Sequence, residues 1–278
     1  MSVFAHPFVP AAEVAPRLAA TVLVARDGAA GLEVLMVRRS LRASFMPGAY
    51  VFPGGAVAGD DAATADAPVC DETASVLASR IGVATGVGDQ AGAFAVAAIR
   101  ECFEECGLWL GKTADQLPAG LRNELRRRLH AGEPIAALAA AAGAVLATSA
   151  LQPWSRWVTP VGIPKRFDTL FFVAPAPVGQ LPAVDAGETT ELAWLHPPTA
   201  LSEHARGALQ MEFATVRTLE SLAPFASGDV ATVLAHAAAQ KKLLPLRPRL
   251  KLDAAGRACG VLLPEDDAHD RASDARRA

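Results

Sequence analysis

One segment constrains the fold more than any other: apolar residues recur at helical spacing across residues 91–110. Phe94 and Cys102 belong to this apolar stripe, and Gly107 stands where the helix should end. A helix with such a stripe must bury it against another layer of secondary structure. The segment therefore predicts a helix packed on a sheet.

The same helix carries three carboxylates on one face. Glu101, Glu104 and Glu105 stand at positions i, i+3 and i+4, which are neighbours on a helix surface. Arg100, four residues before Glu104, can neutralise only part of this charge. Oxygen ligands with excess negative charge suit Mg²⁺ or Mn²⁺. The alternative is a solvated helix face with an Arg–Glu pair contributing about 0.3–0.5 kcal/mol.

Short β-branched segments alternate with helical ones along the rest of the chain. Residues 21–25 and 33–37 flank a glycine turn and predict an antiparallel hairpin. Proline and glycine punctuate residues 45–55, which indicates a shaped loop. Further predicted strands are 154–157, 169–173 and 191–195, and further predicted helical segments are 72–80, 114–150, 210–222 and 229–242. This order lacks strict alternation, so we expect an α/β fold with a mixed sheet.

The domain organisation follows from composition. The chain is 51% hydrophobic, enough for a sizeable core, and we expect one domain over residues 15–264. Residues 60–90 are acidic and Ala-rich, which is typical of an insertion, and residues 265–278 are expected to be a disordered tail. The uncharged stretch 134–155 is mostly alanine, so we interpret it as a packed helix rather than a membrane span.

The net charge limits the classes of binding partner, and the cysteines indicate the cellular compartment. The formal net charge is −3 without a long basic stripe, which disfavours nucleic acid and leaves a small anionic ligand open. The four cysteines form no regular disulfide framework, and with no secretory signal we expect a cytoplasmic protein. The oligomeric state is open, and a dimer is compatible with the sequence.

Residues 100–108 resemble the second half of the Nudix box, and residues 52–55 (Phe-Pro-Gly-Gly) resemble its start. The resemblance implies a Nudix α/β/α sandwich with a C-terminal helical extension. It also implies that Glu101, Glu104 and Glu105 bind a divalent metal together with the carbonyl of Gly54, and that Arg100 orients the glutamates.

The box is interrupted between Gly55 and Arg100, and its helix-start carboxylate has two candidate positions. Counting forward from Gly55 gives Asp61, whereas counting back from Arg100 gives Gly92. A Nudix branch with an interrupted box, which includes a mammalian peroxisomal coenzyme A diphosphatase, is similar to this chain. Further similar segments are 45–55, 157–160, 166–172 and 261–264.

A motif of coenzyme A Nudix enzymes is also in register upstream of the box. The resemblance implies substrate-binding roles for five residues: Arg39, Ser40, Gly48, Phe52 and Gly55. Ser44 replaces the motif's second arginine, a loss for which Arg38 or Arg42 could compensate.

The function that follows is hydrolysis of a nucleotide-linked pyrophosphate. Coenzyme A or acyl-coenzyme A is the favoured substrate, giving 3′,5′-ADP and a phosphopantetheine product. ADP-ribose or an NADH-type dinucleotide is the enzymatic alternative. A non-catalytic nucleotide sensor or a partner-binding protein is the alternative from another class.

Several polar residues keep two interpretations. The general base is Glu101 or a later glutamate, Glu188 or Glu191. Arg166 and Asp168 bind phosphate or adenine, or form a structural ion pair. The run 126–128 is expected to be a solvated helix face, and the cysteines at 102 and 106 small apolar filling.

Overall fold

The computed structural model describes residues 14–42, 46–111, 117–185, 187, 189–254 and 258–265. Its centre is a seven-stranded sheet, and a separate two-stranded sheet lies near the C-terminal end of the described chain. The central strands are β1 (Arg17–Gly28), β2 (Gly31–Arg39), β3 (Tyr50–Val51), β4 (Gly54–Ala56), β5 (Gln152–Val158), β6 (Phe167–Pro175) and β7 (Thr189–Leu195). The smaller sheet pairs β8 (Arg249–Leu252) with β9 (Ala258–Leu262).

Helices cover both faces of the central sheet. In the described residues the α-helices are α1 (Gly59–Ala65), α2 (Ala74–Leu77), α3 (Val83–Thr85), α4 (Ala91–Cys106), α5 (Ala119–His130), α6 (Ile135–Ala142), α7 (Pro197–Ala205), α8 (Phe213–Leu222) and α9 (Val230–Ala239). A π-helical turn, Ala78–Gly82, joins α2 to α3, so the insertion carries a longer helical segment than the predicted 72–80. None of the helices in the described ranges is long and apolar enough to cross a membrane.

The sheet is mixed, as the sequence predicts. Strands β1 and β2 form the expected hairpin, in which Gly28 lies opposite Gly31. Strand β1 runs parallel to β6, while the other neighbouring strands pair antiparallel. The hydrogen-bonded order is β3-β2-β1-β6-β5, with β4 added to β1 and β7 added to β2.

Two apolar cores lie on opposite faces of this sheet. One joins α4 to the sheet through side chains such as Phe94 and Phe172, and the other joins α8 and α9 to the sheet through side chains such as Leu219 and Leu23. Alternate residues of β1 serve the two cores, as the two-residue period of a strand requires. The fold is thus the predicted α/β/α sandwich, and the C-terminal helices α8 and α9 form one of its layers.

Three local differences from the sequence prediction have simple causes. The long helical region before residue 150 is two helices, because Gly132 adopts a φ of 92° and Pro134 precedes α6. Helix α7 was not predicted: Pro197, which ends β7, also occupies its first turn. The β8–β9 hairpin was missed as well, and the proposed disordered tail lies outside the described residues apart from Glu265.

The prediction of a solvated run at 126–128 is wrong for Arg126. Its side chain is buried and donates to the carbonyl oxygens of Glu104 (2.8 Å), Ala183 (2.8 Å) and Val184 (3.2 Å). Arg127, by contrast, is exposed. Arg126 therefore ties the end of α4 to the segment that precedes β7.

We predict that Arg126→Ala lowers the free energy of unfolding by about 2–4 kcal/mol, because three carbonyl oxygens lose a charged donor and the removal of a buried side chain leaves a cavity. Arg127→Ala is the matched control, and it should change stability by less than about 0.5 kcal/mol. Urea unfolding followed by circular dichroism measures both. Equal losses in the two variants would contradict the role given to Arg126.

Candidate active site

Arg100, on α4, is the hub of the acidic cluster. Its Nε and Nη2 donate to the two carboxylate oxygens of Asp61 at 2.9 and 3.0 Å. Its Nη1 donates to Glu101 (2.8 Å) and Glu104 (3.0 Å), and Nη2 also donates to the carbonyl of Ala56 (2.9 Å). A guanidinium has five N–H donors, so all of them are engaged. Arg100 thus fixes the directions of three carboxylates at once.

The position of Asp61 decides between the two candidate positions, Asp61 and Gly92, for the carboxylate at the start of the box helix. It lies in α1, is 1% exposed, and accepts a backbone hydrogen bond from Ala58 at 2.7 Å besides its two bonds to Arg100. Gly92 lies buried in α4, where an added Cβ would come within 2.6 Å of Ala65. The forward count from Gly55 therefore identifies the carboxylate that pairs with Arg100, and Gly92 serves the packing of α1 on α4.

Gly54 and Gly55 form a corner where the backbone lies too close to its neighbours to leave room for a side chain. The N–H of Gly54 donates to Oε2 of Glu105 at 3.0 Å. A Cβ at Gly55 would lie 2.4 Å from the carboxylate carbon of Glu101, and one at Gly54 would lie 2.4 Å from the carbonyl oxygen of Ala20. Side chains at these positions would displace either the glutamates or strand β1. The corner thus brings backbone polar groups directly against the α4 carboxylates.

The electrostatics of the cluster favour a cation. The pKa of Glu101 is raised to about 7, mainly by burial. The charge of Arg100 lowers this pKa, and the charge of the neighbouring Glu104 raises it. Burial would lower the pKa of Arg100, but its hydrogen bonds and the surrounding carboxylates raise it above its usual value. Glu105 is only 5% exposed. Crowded, desolvated carboxylates of this kind are stabilised by added positive charge.

The donor set fits a hard divalent cation, although the side chains are turned towards Arg100. Within the ranges that the structure describes, no three acidic, histidine or cysteine side chains converge on one metal-sized point. Arg100 holds one oxygen of Glu101 and one of Glu104, and Gly54 holds one of Glu105. Three helix carboxylates beside a glycine corner supply the oxygen donors that hard divalent cations such as Mg²⁺ or Mn²⁺ prefer.

A pocket of about 460 Å³ opens from this cluster on the sheet face opposite α4. Its acidic end holds Glu101 and Glu105. Its apolar wall consists of aromatic residues of β5, β6 and α8 together with the β8–β9 hairpin: Trp157, Phe167, Phe171, Phe213, Leu250 and Val261. Arg17, Arg39 and Lys165 add positive charge along the lining. An elongated ligand with an anionic and an apolar part matches this distribution.

The residues that the coenzyme A motif implies divide into two groups. Arg39, Phe52 and Gly55 line the pocket. Ser40 and Gly48 do not: the hydroxyl of Ser40 accepts the backbone N–H of Arg42 at 3.2 Å, and Gly48 adopts a φ of 74° in the turn before β3. Their roles in this structure are those of turn residues, and Ser44 lies outside the described residues.

The other sequence candidates have structural partners. Glu191 pairs with Arg38 at 3.4 Å on the exposed face of β7 and β2, away from the pocket lining. Asp168 forms two short hydrogen bonds with Arg156 rather than with Arg166, whose guanidinium binds backbone carbonyls. Glu188 lies outside the described residues.

The cysteines and histidines also have structural surroundings. Cys102 and Cys106 are buried free thiols in the α4 core. His196 precedes α7, and His236 packs against Trp154 and Phe225. Small apolar filling therefore describes the two cysteines and packing describes His236, whereas His196 stands at the capping position of α7 without a side-chain cap.

Three charged pocket residues were missed by the sequence analysis. Arg17 and Lys165 belong to no recognisable motif, so no local pattern marks them as pocket residues. Glu212 precedes α8 and resembles an ordinary helix-start acid. All three become visible only when the strands and α8 bring them to one pocket.

Comparisons with known proteins show which family and which solved structures this chain resembles. The family described as the NUDT19 Nudix domain matches residues 86–216. Acyl-coenzyme A diphosphatase NUDT19 of Gallus gallus is 31% identical over 63% of this chain and 56% of its own length. Putative nudix hydrolase 7 of Caenorhabditis elegans is 28% identical over 71% of this chain and 58% of its own. The chain thus spans little more than half the length of these curated relatives.

A solved structure shows the same fold. The NUDIX hydrolase from Alicyclobacillus acidocaldarius aligns with a TM-score of 0.67 at 29% identity, covering 81% of this chain and 97% of its own. The α/β/α sandwich is therefore that of Nudix hydrolases.

We predict that Asp61→Asn lowers the free energy of unfolding by about 3–5 kcal/mol, because Arg100 loses a buried ionic partner. Asp60→Asn, one residue earlier and exposed, is the matched control and should leave stability nearly unchanged. Thermal and urea unfolding at pH 7 measure the difference. Equal stability of the two variants would show that the Asp61–Arg100 pair is dispensable.

Proposed function

We propose that this chain hydrolyses the pyrophosphate of a nucleoside diphosphate linked to another group. The proposal agrees with the similarity of the chain to Nudix proteins of the NUDT19 branch. Coenzyme A or acyl-coenzyme A is the proposed substrate, cleaved to 3′,5′-ADP and a phosphopantetheine product. The observation that carries this proposal is the pocket in which Glu101 and Glu105 adjoin an apolar wall. A related protein that is named as an acyl-coenzyme A diphosphatase supports the same substrate class.

Glu101, Glu104 and Glu105, with the backbone of Gly54, are the residues that would hold Mg²⁺ or Mn²⁺. A bound divalent cation supplies charge for the pyrophosphate oxygens and acidifies a water molecule. Arg100 acts through the glutamates, since it binds two of them and Asp61 without lining the pocket. It is therefore a positioning residue.

Glu101 is the proposed general base. It lines the acidic end of the pocket beside Glu105, where a carboxylate can accept a proton from water that attacks a bound ligand. Glu191 is engaged by Arg38 outside the lining, which disfavours it. The proton of the attacking water would thus pass to the carboxylate at the acidic end of the pocket.

The remaining lining suits the two ends of coenzyme A. The cations Arg17, Arg39 and Lys165 can bind phosphate groups, and the aromatic wall can pack a pantetheine or acyl chain. ADP-ribose and NADH share the nucleotide end but have no long apolar arm. A non-catalytic sensor would have no use for three crowded carboxylates, and a nucleic-acid partner would need a basic surface.

We propose a cytoplasmic location for this protein. The four cysteines are free thiols, which agrees with a reducing cytoplasm. A homodimer is compatible with the chain.

We predict that purified protein with Mg²⁺ or Mn²⁺ releases 3′,5′-ADP from coenzyme A and acetyl-coenzyme A. Glu104→Gln should lower kcat by about 100- to 1,000-fold, as loss of one preorganised electrostatic group does. Glu124→Gln, on the exposed face of α5, is the control for the same chemical change. Chromatography of the products measures turnover.

The same assay includes ADP-ribose and NADH. Cleavage of these two alone would retain the site and discard the coenzyme A assignment. Absence of turnover with every substrate would overturn the proposed activity.

We predict that the metal binds more tightly at pH 8 than at pH 6. The pKa of Glu101 is raised to about 7, so below that value the cation must displace a proton, and above it the carboxylate is already ionised. Affinity should fall by up to about tenfold over the unit below the pKa. Calorimetric titration with Mn²⁺ in buffers of different ionisation enthalpy counts the protons released. Affinity independent of pH, with no proton release, would contradict the raised pKa.

A further inference from the structure

A carboxylate on the pocket wall is unused by the proposed hydrolysis. Glu212, the residue before α8, is partly buried and lines the same pocket as Glu101 and Glu105. Among the described residues, none donates a hydrogen bond to its side chain. Burial raises its pKa to about 7, and the charge of Arg39 only partly opposes this. Glu212 therefore contributes to the pocket lining a partly buried carboxylate that has no protein donor among the described residues.

Glu212 does not serve as a helix cap. At the start of α9, Asp229 occupies the equivalent position, and its carboxylate accepts the backbone N–H of Thr232 at 2.8 Å. At the start of α8 no side chain caps the helix, although Glu212 stands at the capping position. The same fold therefore contains a carboxylate that satisfies a helix end and one that is left for the pocket.

Two aromatic rings line the same pocket as this carboxylate. Phe213 follows it and meets Trp157 edge to face, with ring centroids 6.0 Å apart and an interplanar angle of 89°. Both rings line the pocket. Aromatic faces beside a hydrogen-bonding group are a common arrangement for holding a planar base. Coenzyme A, ADP-ribose and NADH all carry adenosine, whose hydrogen-bond donors are the 6-amino group and the ribose hydroxyls.

We infer that Glu212 is a specificity-determining residue that accepts a hydrogen bond from the adenosine part of the substrate. The inference rests on the proposed function and deepens it. A site built to pair with a donor discriminates strongly against an analogue that lacks it, because the buried acceptor is then left unpaired. Discrimination between nucleotides would thus come from α8, and hydrolysis from α4.

Direct binding tests this without requiring turnover. Calorimetry compares 3′,5′-ADP with two analogues. Purine riboside 3′,5′-bisphosphate lacks the 6-amino group without gaining an N1–H donor, and the 2′-deoxy compound lacks the hydroxyl. We expect wild-type protein to bind one analogue at least about tenfold more weakly, and Glu212→Ala to bind all three alike. The weaker analogue identifies the donor. Glu220→Ala, on the exposed side of the same helix, should keep the wild-type preference.

Kinetics and stability separate specificity from other roles. Glu212→Gln should raise KM with little change in kcat, and its thermal unfolding at pH 8 should match or exceed that of the wild type, because a raised pKa makes the ionised acid costly there. A loss of kcat at unchanged KM would make Glu212 a catalytic residue and overturn the inference.

Failure of the inference and failure of the proposed function give different results. Three binding results would also overturn the inference. They are equal affinity of the wild-type protein for all three ligands, no affinity for 3′,5′-ADP, and a ligand preference that survives in Glu212→Ala. Discriminating binding without hydrolysis of any substrate would uphold the inference and overturn the proposed function alone.

Discussion

The guanidinium of Arg100 connects the two halves of an interrupted site. It binds Asp61 from α1, the carbonyl of Ala56 at the end of β4, and two glutamates of its own helix. The residues between α1 and α4 separate the two halves of the site along the chain. The buried Asp61–Arg100 ion pair joins these halves in space. Because breaking one partner of such a pair leaves an uncompensated charge, the cluster behaves as a unit. The directions of the glutamates depend on that unit more than on α4 alone.

The sheet sets the second constraint, since α4 packs on one face and the pocket lies on the other. Strand β1 pairs with β2 only near the hairpin turn, and β4 pairs with β1 beyond it. The two glycines of β4 lie in this gap, where an added Cβ would collide with Glu101 or with Ala20. Carboxylates from one layer can thus reach a ligand in the other layer, and the absence of two side chains makes this geometry feasible.

Helices, turns and the alignment of side chains on one helix could be predicted from local sequence patterns. The burial and partners of individual charged residues could not, because they depend on tertiary contacts. Helix α4 with its end at Gly107, the β1–β2 hairpin and the alignment of three glutamates all follow from periodicity and glycine. The choice of Asp61 over Gly92, the burial of Arg126 and the pocket position of Glu212 depend on which elements meet. Nothing in a local window distinguishes Arg126 from Arg127, yet one is buried and the other exposed.

The insertion is held to the body of the fold away from the pocket. Arg80 donates to the carbonyls of Thr148 (2.9 Å) and Leu151 (2.8 Å), and Arg156 of β5 donates to the carbonyl of Thr85 (2.9 Å). Residues 60–90, the predicted insertion, are all described, and none of them lines the pocket. The insertion therefore supports the sheet edge beside β5 rather than covering the ligand. The pocket lining comes instead from the sheet strands, the acidic residues of α4, the start of α8 and the β8–β9 hairpin, and these elements are the ones that a bound ligand would contact.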